Sequence, residues 1–107
     1  MNAVRFAIPL LACLTACGSA AVPQPTAADA SRGSAHFPDL TLSELTQGRT
    51  LYVSRCGSCH TLKRPSELPA AQWQIEVAEM RNKNGVRLSD AEAQAITRYL
   101  AIAASDG

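Results

Sequence analysis

Apolar residues recur at helical spacing in three stretches of the chain after residue 40. The first stretch follows Thr41, whose spacing from Glu44 is typical of a helix-starting capping box. It continues through Leu45, Leu51 and Tyr52, with Leu51 and Tyr52 six and seven residues after Leu45, about two helical turns on. This pattern predicts a helix that runs to the cysteine-containing segment beginning at residue 56.

Two more helices are predicted after a loop at residues 61–69, which contains two prolines. Pro69 suits the first position of the second helix, which ends near Asn84-Gly85. Its apolar positions are Trp73, Val77 and Met80. A second capping box and an apolar stripe predict the last helix, at Ser89, Glu92, Ile96, Tyr99 and Leu100. Strand-like alternation is not evident, so the predicted fold class is all-α.

The N-terminus has the pattern of an exported protein. A charged start, Met1 to Arg5, precedes the apolar run Phe6 to Leu14, which is too short to span a bilayer. Small residues then lead to Cys17. These are the parts of a secretory signal peptide, and residues 14–17 also resemble the bacterial lipobox, in which the cysteine is lipidated and becomes the first mature residue. We expect a lipoprotein signal peptide at residues 1–16.

Lipidation of Cys17 would make the protein a periplasmic, membrane-anchored lipoprotein. In bacteria that resemble the best-known cases, Gly18 after the cysteine favours transfer to the outer membrane. The alternative is an ordinary signal peptide cut near Ala20 or Ala21, which would leave no anchor.

Residues 18–38 are mostly Ala, Pro, Ser and Thr, with few large apolar side chains. Such a composition buries little surface, so residues 17–38 are predicted to form a flexible, lipid-anchored tether. Its reach would be at most about 70 Å when extended, and about 25 Å as a random coil. The folded domain is predicted at residues 39–107.

Composition limits the function classes. The 107 residues suffice for one small domain, and a net charge of +1 identifies no partner. There is no basic stripe with interleaved aromatic residues, so we expect no nucleic-acid partner. Three short helices bury little apolar area, and domains of this size usually depend on an added core such as a metal or cofactor.

The motif C-x-x-C-H at Cys56, Cys59 and His60 could attach such a cofactor. Two thiols at this spacing can form thioethers with the vinyl groups of a haem, and the adjacent histidine can bind the iron from the proximal side. Cys13 leaves with the signal peptide and Cys17 takes the lipid, so the motif thiols are the only ones left. We expect one covalently bound haem c.

Three other interpretations of the motif are weaker. A thioredoxin-like dithiol would need a βαβ pattern that the chain lacks. A zinc site would need a fourth ligand, and the adjacent Cys59 and His60 suit one tetrahedral ion poorly. The match could also be accidental.

Residues 39–107 resemble a small class I monohaem cytochrome c. In that family a glycine precedes an aromatic residue shortly before C-x-x-C-H, as Gly48 precedes Tyr52 here. The last helix of the family has acidic, apolar and aromatic positions that match Glu92, Ile96, Tyr99 and Leu100. The resemblance implies a cytochrome c-like fold of three main helices and loops around the haem. It also implies that Gly48 contacts the C-terminal helix near Tyr99.

Pro65 loosely matches the family's loop proline, whose carbonyl accepts a hydrogen bond from the proximal imidazole. Such a bond would fix the tautomer of His60 and raise its basicity.

Met80 is the expected distal ligand, because methionine is a common sixth ligand and no other remains after signal removal. A tryptophan followed seven residues later by methionine also resembles related small cytochromes. The alternatives are that Met80 is a core residue, with His36 as the ligand or an open site. Trp73 is interpreted as a core aromatic residue.

Six basic residues flank the motif and Met80: Arg55, Lys63, Arg64, Arg81, Lys83 and Arg87. They could present a positive rim to an acidic redox partner, or be ordinary solvated surface.

The expected function is electron transfer between a redox donor and an acceptor protein, with no enzymatic activity. Two alternatives stay open: an electron-transfer subunit of a larger periplasmic oxidoreductase, and a five-coordinate haem sensor or peroxidase-like protein.

Overall fold

The computed structural model describes residues 22–57 and 62–105, and within these ranges the fold is all-α, as predicted. The elements in chain order are α1 (Ala27–Gly33), α2 (Leu42–Leu51), a π-helical turn (Tyr52–Cys56), a 3-10 turn (Pro65–Glu67), α3 (Ala70–Asn82) and α4 (Asp90–Ser105). No helix in the described part of the chain is both long and apolar enough to cross a membrane.

Side-chain caps begin α2 and α4 where the sequence predicts them. The hydroxyl of Thr41 accepts a hydrogen bond from the Glu44 N–H at 3.0 Å. At α4 the capping box is complete, because Ser89 and Glu92 each accept a bond from the other's backbone N–H. The bond from the Ser89 N–H lowers the pKa of Glu92, and the Arg55 guanidinium acts in the same direction.

The second helix starts and ends close to the predicted positions. α3 begins at Ala70, with Pro69 just before it, and ends at Asn82. Gly85 has a φ of 70°, and the Val86 N–H closes the turn by donating to the Met80 carbonyl at 3.1 Å. A left-handed residue at this place stops the helix, and glycine adopts that conformation without steric cost.

α2 and α4 cross in close contact at Gly48. A β-carbon at this position would lie 2.8 Å from the Tyr99 Cβ and would overlap the backbone carbonyl of Ala95. Only glycine allows the two backbones to approach this closely. The contact between Gly48 and the C-terminal helix near Tyr99, implied by the cytochrome c resemblance, is confirmed.

The core lies between α2, α3 and α4. Of the apolar positions predicted from helical spacing, all but Leu51 are buried; the buried ones are Leu45, Tyr52, Trp73, Val77, Met80, Ile96, Tyr99 and Leu100. Leu51 is partly buried and packs against this cluster. Cys56, at the end of the π-helical turn, is part of the same cluster and is 4% exposed. The first motif cysteine therefore lies in the core rather than on the surface.

The prediction of a flexible tether over residues 17–38 is wrong for the part that the structure describes. Residues 22–38 contain α1, which is capped by a reciprocal pair of hydrogen bonds between Thr26 and Asp29. They pack against the three-helix core, and Val22 is 3% exposed. The composition suggested a flexible segment, but a segment with few apolar side chains can still fold when neighbouring helices bury those side chains.

Polar bonds fasten this N-terminal strap, residues 22–39, to α2 and α4. The Arg49 Nε donates to the Val22 carbonyl at 3.0 Å, and the Tyr99 hydroxyl donates to the Pro23 carbonyl at 2.6 Å. Arg32 donates to the carbonyl of Ile102 at 3.2 Å. The strap is therefore part of the folded unit.

Arg98 of α4 joins the end of the strap to α2. Its guanidinium lies 2.9 Å from the Glu44 carboxylate and 3.2 Å from that of Asp39, and it stacks over the Phe37 ring at 4.9 Å. The hydrogen bond from Arg98 lowers the pKa of Asp39. The Arg98 side chain is 14% exposed, so this network is shielded more than a typical surface ion pair.

Gly48→Ala is expected to destabilise the protein. Alanine favours a helix interior over glycine by about 1 kcal/mol, but the overlap with the Ala95 backbone costs roughly 2–3 kcal/mol, the upper part of the range for overpacking, because backbone cannot rotate aside. Denaturant unfolding should therefore show a net loss of about 1–2 kcal/mol. Gln47→Ala, at the exposed neighbouring position, is the control and should change stability by less than about 0.5 kcal/mol. Equal stabilities for the two variants would contradict the close crossing.

Stability is expected to fall as pH rises from about 10 to about 12. Burial raises the pKa of Tyr99 to about 12 from an ordinary 10.0, so the native state favours the neutral phenol. This contribution is intact below pH 10 and is lost as the native phenol ionises; a shift of two pKa units corresponds to roughly 3 kcal/mol at most. Denaturant unfolding across this range should show a weaker pH dependence for Tyr99→Phe than for the wild type. Identical slopes would contradict the assignment.

Candidate haem-binding site

The segment before the motif changes from α-helical to π-helical. α2 ends at Leu51, and the turn Tyr52–Cys56 continues its direction with the wider π pattern. Single π turns are rare and frequently occur at functional sites. Tyr52 and Cys56 are buried, whereas the residues between them are exposed. The turn thus delivers the Cys56 side chain into the core.

Three of the predicted site residues lie outside the described residues. Cys59 and His60 of the motif, and the lipidation candidate Cys17, are among them. Their roles stay predictions from the sequence.

Met80 lies on the buried face of α3 with Trp73 and Val77. It is 9% exposed and belongs to the same apolar cluster as Cys56. Its carbonyl accepts the bond from the Val86 N–H that ends α3, which fixes its backbone. The structure thus brings the Cys56 thiol and the Met80 thioether into one core, as the predicted site requires.

His36 occupies a different setting. It is exposed, follows α1 in the strap, and its ring meets the Phe37 ring edge-on at 6.5 Å. Its position in the strap, outside the core cluster that contains Cys56 and Met80, favours Met80 over His36 as the distal ligand.

The loop after the motif is held by two buried aromatic side chains. The Tyr52 hydroxyl donates to the Lys63 carbonyl at 2.6 Å, and the Trp73 Nε1 donates to the Pro65 carbonyl at 2.8 Å. The two rings touch edge-on, with centroids 5.9 Å apart and planes at 78°. Burial is the main reason that the pKa of Tyr52 is raised well above its usual range, so the phenol stays protonated even in alkaline solution.

Trp73 is a core aromatic residue, as predicted, but it also has a polar role that the sequence did not reveal. The carbonyl of Pro65, expected to accept a bond from the proximal imidazole, already accepts one from the indole. A carbonyl oxygen has two lone pairs, so a second donor can still be accommodated.

Most of the predicted basic rim is paired with carboxylates. Among the six basic residues, four form ion pairs: Arg55 with Glu92, Arg64 with Glu67, Arg81 with Asp90, and Lys83 with Glu79. These ion pairs reduce the positive field of the six residues. They favour the interpretation that these residues are ordinary solvated surface rather than a docking rim for an acidic partner.

The described residues fit a covalently attached haem. Cys56 offers a thiol from within an apolar core, and Met80 of α3 offers a thioether within the same cluster. Both are soft ligands or attachment points of the kind that c-type haems use, and the surrounding side chains would exclude water.

Comparison with known proteins identifies the family. The family model described as dihaem cytochrome c matches residues 52–107, just over half of the chain. The chain therefore belongs to the dihaem cytochrome c family. It is a c-type cytochrome, an electron-transfer haem protein that works with redox partner proteins. No curated protein and no solved structure matches the chain significantly.

Sequence reasoning missed the strap and the residues that receive it. The signal was present at Thr26 and Asp29, whose spacing is that of a capping box. The role of Arg49, Tyr99 and Arg98 in binding the strap has no comparable local signal in the sequence. Their hydrogen-bond partners in the strap lie 27 to 76 positions away along the chain.

Proposed function

We propose that this chain is a periplasmic electron-transfer cytochrome that carries one haem c. The observation that carries the proposal is the single C-x-x-C-H motif, whose first cysteine lies buried in an all-α core. The family name refers to two haems, whereas this sequence contains one attachment motif. A second covalent haem would need a second pair of thiols, and the remaining Cys13 and Cys17 lack the spacing and the histidine.

Each residue has a distinct part in the proposed site. Cys56 and Cys59 form the thioethers, His60 is the proximal ligand and Met80 the distal one. When bound, the haem supplies a one-electron couple. The core side chains limit water access, and the buried Met80 thioether favours a higher potential than a second imidazole would.

Filled axial positions make electron transfer the expected use rather than catalysis, because no open site would be left for a substrate. The family assignment supports this interpretation. Two alternatives remain: an electron-transfer subunit of a larger oxidoreductase, and, if Met80 does not bind, a five-coordinate sensor or peroxidase-like protein.

The proposed lipid anchor at Cys17 would hold the domain near the membrane, with the outer membrane favoured by Gly18. Val22 is buried and its carbonyl accepts the bond from Arg49, so only residues 18–21 would link the lipid to the folded unit. Five residue steps span at most about 18 Å, in contrast to the 70 Å reach expected for a free tether. Partners would therefore have to approach the membrane surface.

The intact mass of the mature protein tests both covalent modifications. Protein from a bacterial host with cytochrome c maturation should begin at Cys17 and carry one haem and an attached lipid. Cys17→Ser should retain the haem and lose the lipid, and Cys56→Ser with Cys59→Ser should lose the thioether-bound haem. A start at residue 21 or 22 would remove the anchor from the proposal but leave the haem, whereas a mass without haem would overturn the cytochrome assignment.

Met80→Ala tests the sixth ligand. The wild type should show the near-infrared band of methionine-ligated ferric haem and should be inert to carbon monoxide when reduced; the variant should lose the band and bind carbon monoxide. Val77→Ala, on the same buried face, is the control for lost packing and should keep the band. A wild type without this band would overturn Met80 as the ligand, and carbon monoxide binding by that wild type would favour the five-coordinate alternative.

A further inference from the structure

Two buried aromatic residues hold the loop that follows the haem motif, and we propose that Tyr52 and Trp73 set the reduction potential by positioning it. This inference rests on the proposed haem site and extends it to residues that neither attach nor bind the group. Tyr52 lies four residues before Cys56, and Trp73 lies seven residues before Met80 on α3.

Both side chains are placed to restrain this loop. Each is 1% exposed, so its hydrogen bond is sheltered from competing water. The bonds end on the carbonyls of Lys63 and Pro65, two residues apart. The edge-on contact between the rings couples the two donors, so that the π-helical turn and α3 restrain the loop together.

A hydrogen bond within the loop restrains it further. The backbone N–H of Arg64 donates to the Glu67 carboxylate at 2.5 Å, and the 3-10 turn Pro65–Glu67 follows directly. Pro65 is itself buried. A segment restrained at Lys63, Arg64 and Pro65 has little freedom, and it begins only three residues after His60.

The restraint on this loop affects His60, the proposed proximal ligand. Outer partners of a ligating histidine fix its orientation and raise its basicity, which stabilises the oxidised metal. A rigid loop keeps such a partner in place, and the Pro65 carbonyl still has capacity for a second donor beside the indole. Loss of the restraint weakens this support and raises the reduction potential.

The test compares two tyrosines that make the same bond in different places. Tyr52 and Tyr99 are 1% and 2% exposed, and each hydroxyl donates to a backbone carbonyl at 2.6 Å. Tyr52 bonds to the loop after the motif, whereas Tyr99 bonds to Pro23 of the strap. Removal of either hydroxyl is therefore matched in chemistry and burial, and only Tyr52→Phe loosens the loop.

Redox titration of the haem-loaded proteins is the measurement. Tyr52→Phe should shift the ferric-to-ferrous ratio at a fixed solution potential about threefold toward ferrous, about 28 mV at 59 mV per tenfold. Trp73→Phe, which keeps a ring but no donor, should shift it in the same direction. Tyr99→Phe should lose stability without a shift. If Trp73→Phe does not fold, Tyr52→Phe carries the comparison alone.

An unchanged or lower potential in Tyr52→Phe would overturn the proposal, and so would an equal rise in Tyr99→Phe, since that would reflect general destabilisation. These results are distinct from failure of the haem site itself. If the wild type contains no thioether-bound haem, no titration is measured and the proposed function fails first.

Discussion

The backbones of α2 and α4 meet at Gly48, and this close crossing determines where the other elements of the fold lie. The two helices meet backbone to backbone, so closely that a β-carbon at Gly48 would overlap the Ala95 carbonyl. The positions of the segments that follow or pack on these helices are therefore fixed relative to this contact. Tyr52 and Cys56 follow on the same chain segment, within eight residues of the crossing. The position of Cys56, the first cysteine of the C-x-x-C-H motif, is thus set by packing between helices rather than by the motif alone.

The same two helices also organise the periphery. Tyr99, one of the residues at the crossing, donates to the strap, and Arg98 beside it connects the strap to α2. α3 adds the third wall of the core and presents Met80 and Trp73. A domain with so few helices gains stability from bonds that each connect two or three elements, and a covalent cofactor would add to this where hydrophobic area is limited.

Local signals allowed much of the fold to be predicted. The caps at Thr41 and Ser89 and the apolar spacing of α3 and α4 depend on residues within a few positions of one another, and the structure confirms them. The strap was misjudged because its stability comes from distant partners. The π-helical turn and the Trp73–Pro65 hydrogen bond could not be predicted from the sequence for the same reason, because both depend on tertiary packing. The attachment chemistry, by contrast, was predicted from C-x-x-C-H, and family membership supports a c-type haem.

Helix packing thus presents one cysteine of a haem-attachment motif from within an apolar core, in a chain of the dihaem cytochrome c family. We expect a single haem to be bound through thioethers to this polypeptide. The most direct measurement is the absorption spectrum of the reduced protein in alkaline pyridine, with the haem content determined per chain. The expected result is the spectrum of a thioether-linked haem, at one haem per chain. A spectrum of haem with intact vinyl groups, or a colourless protein from cells with working maturation machinery, would contradict it.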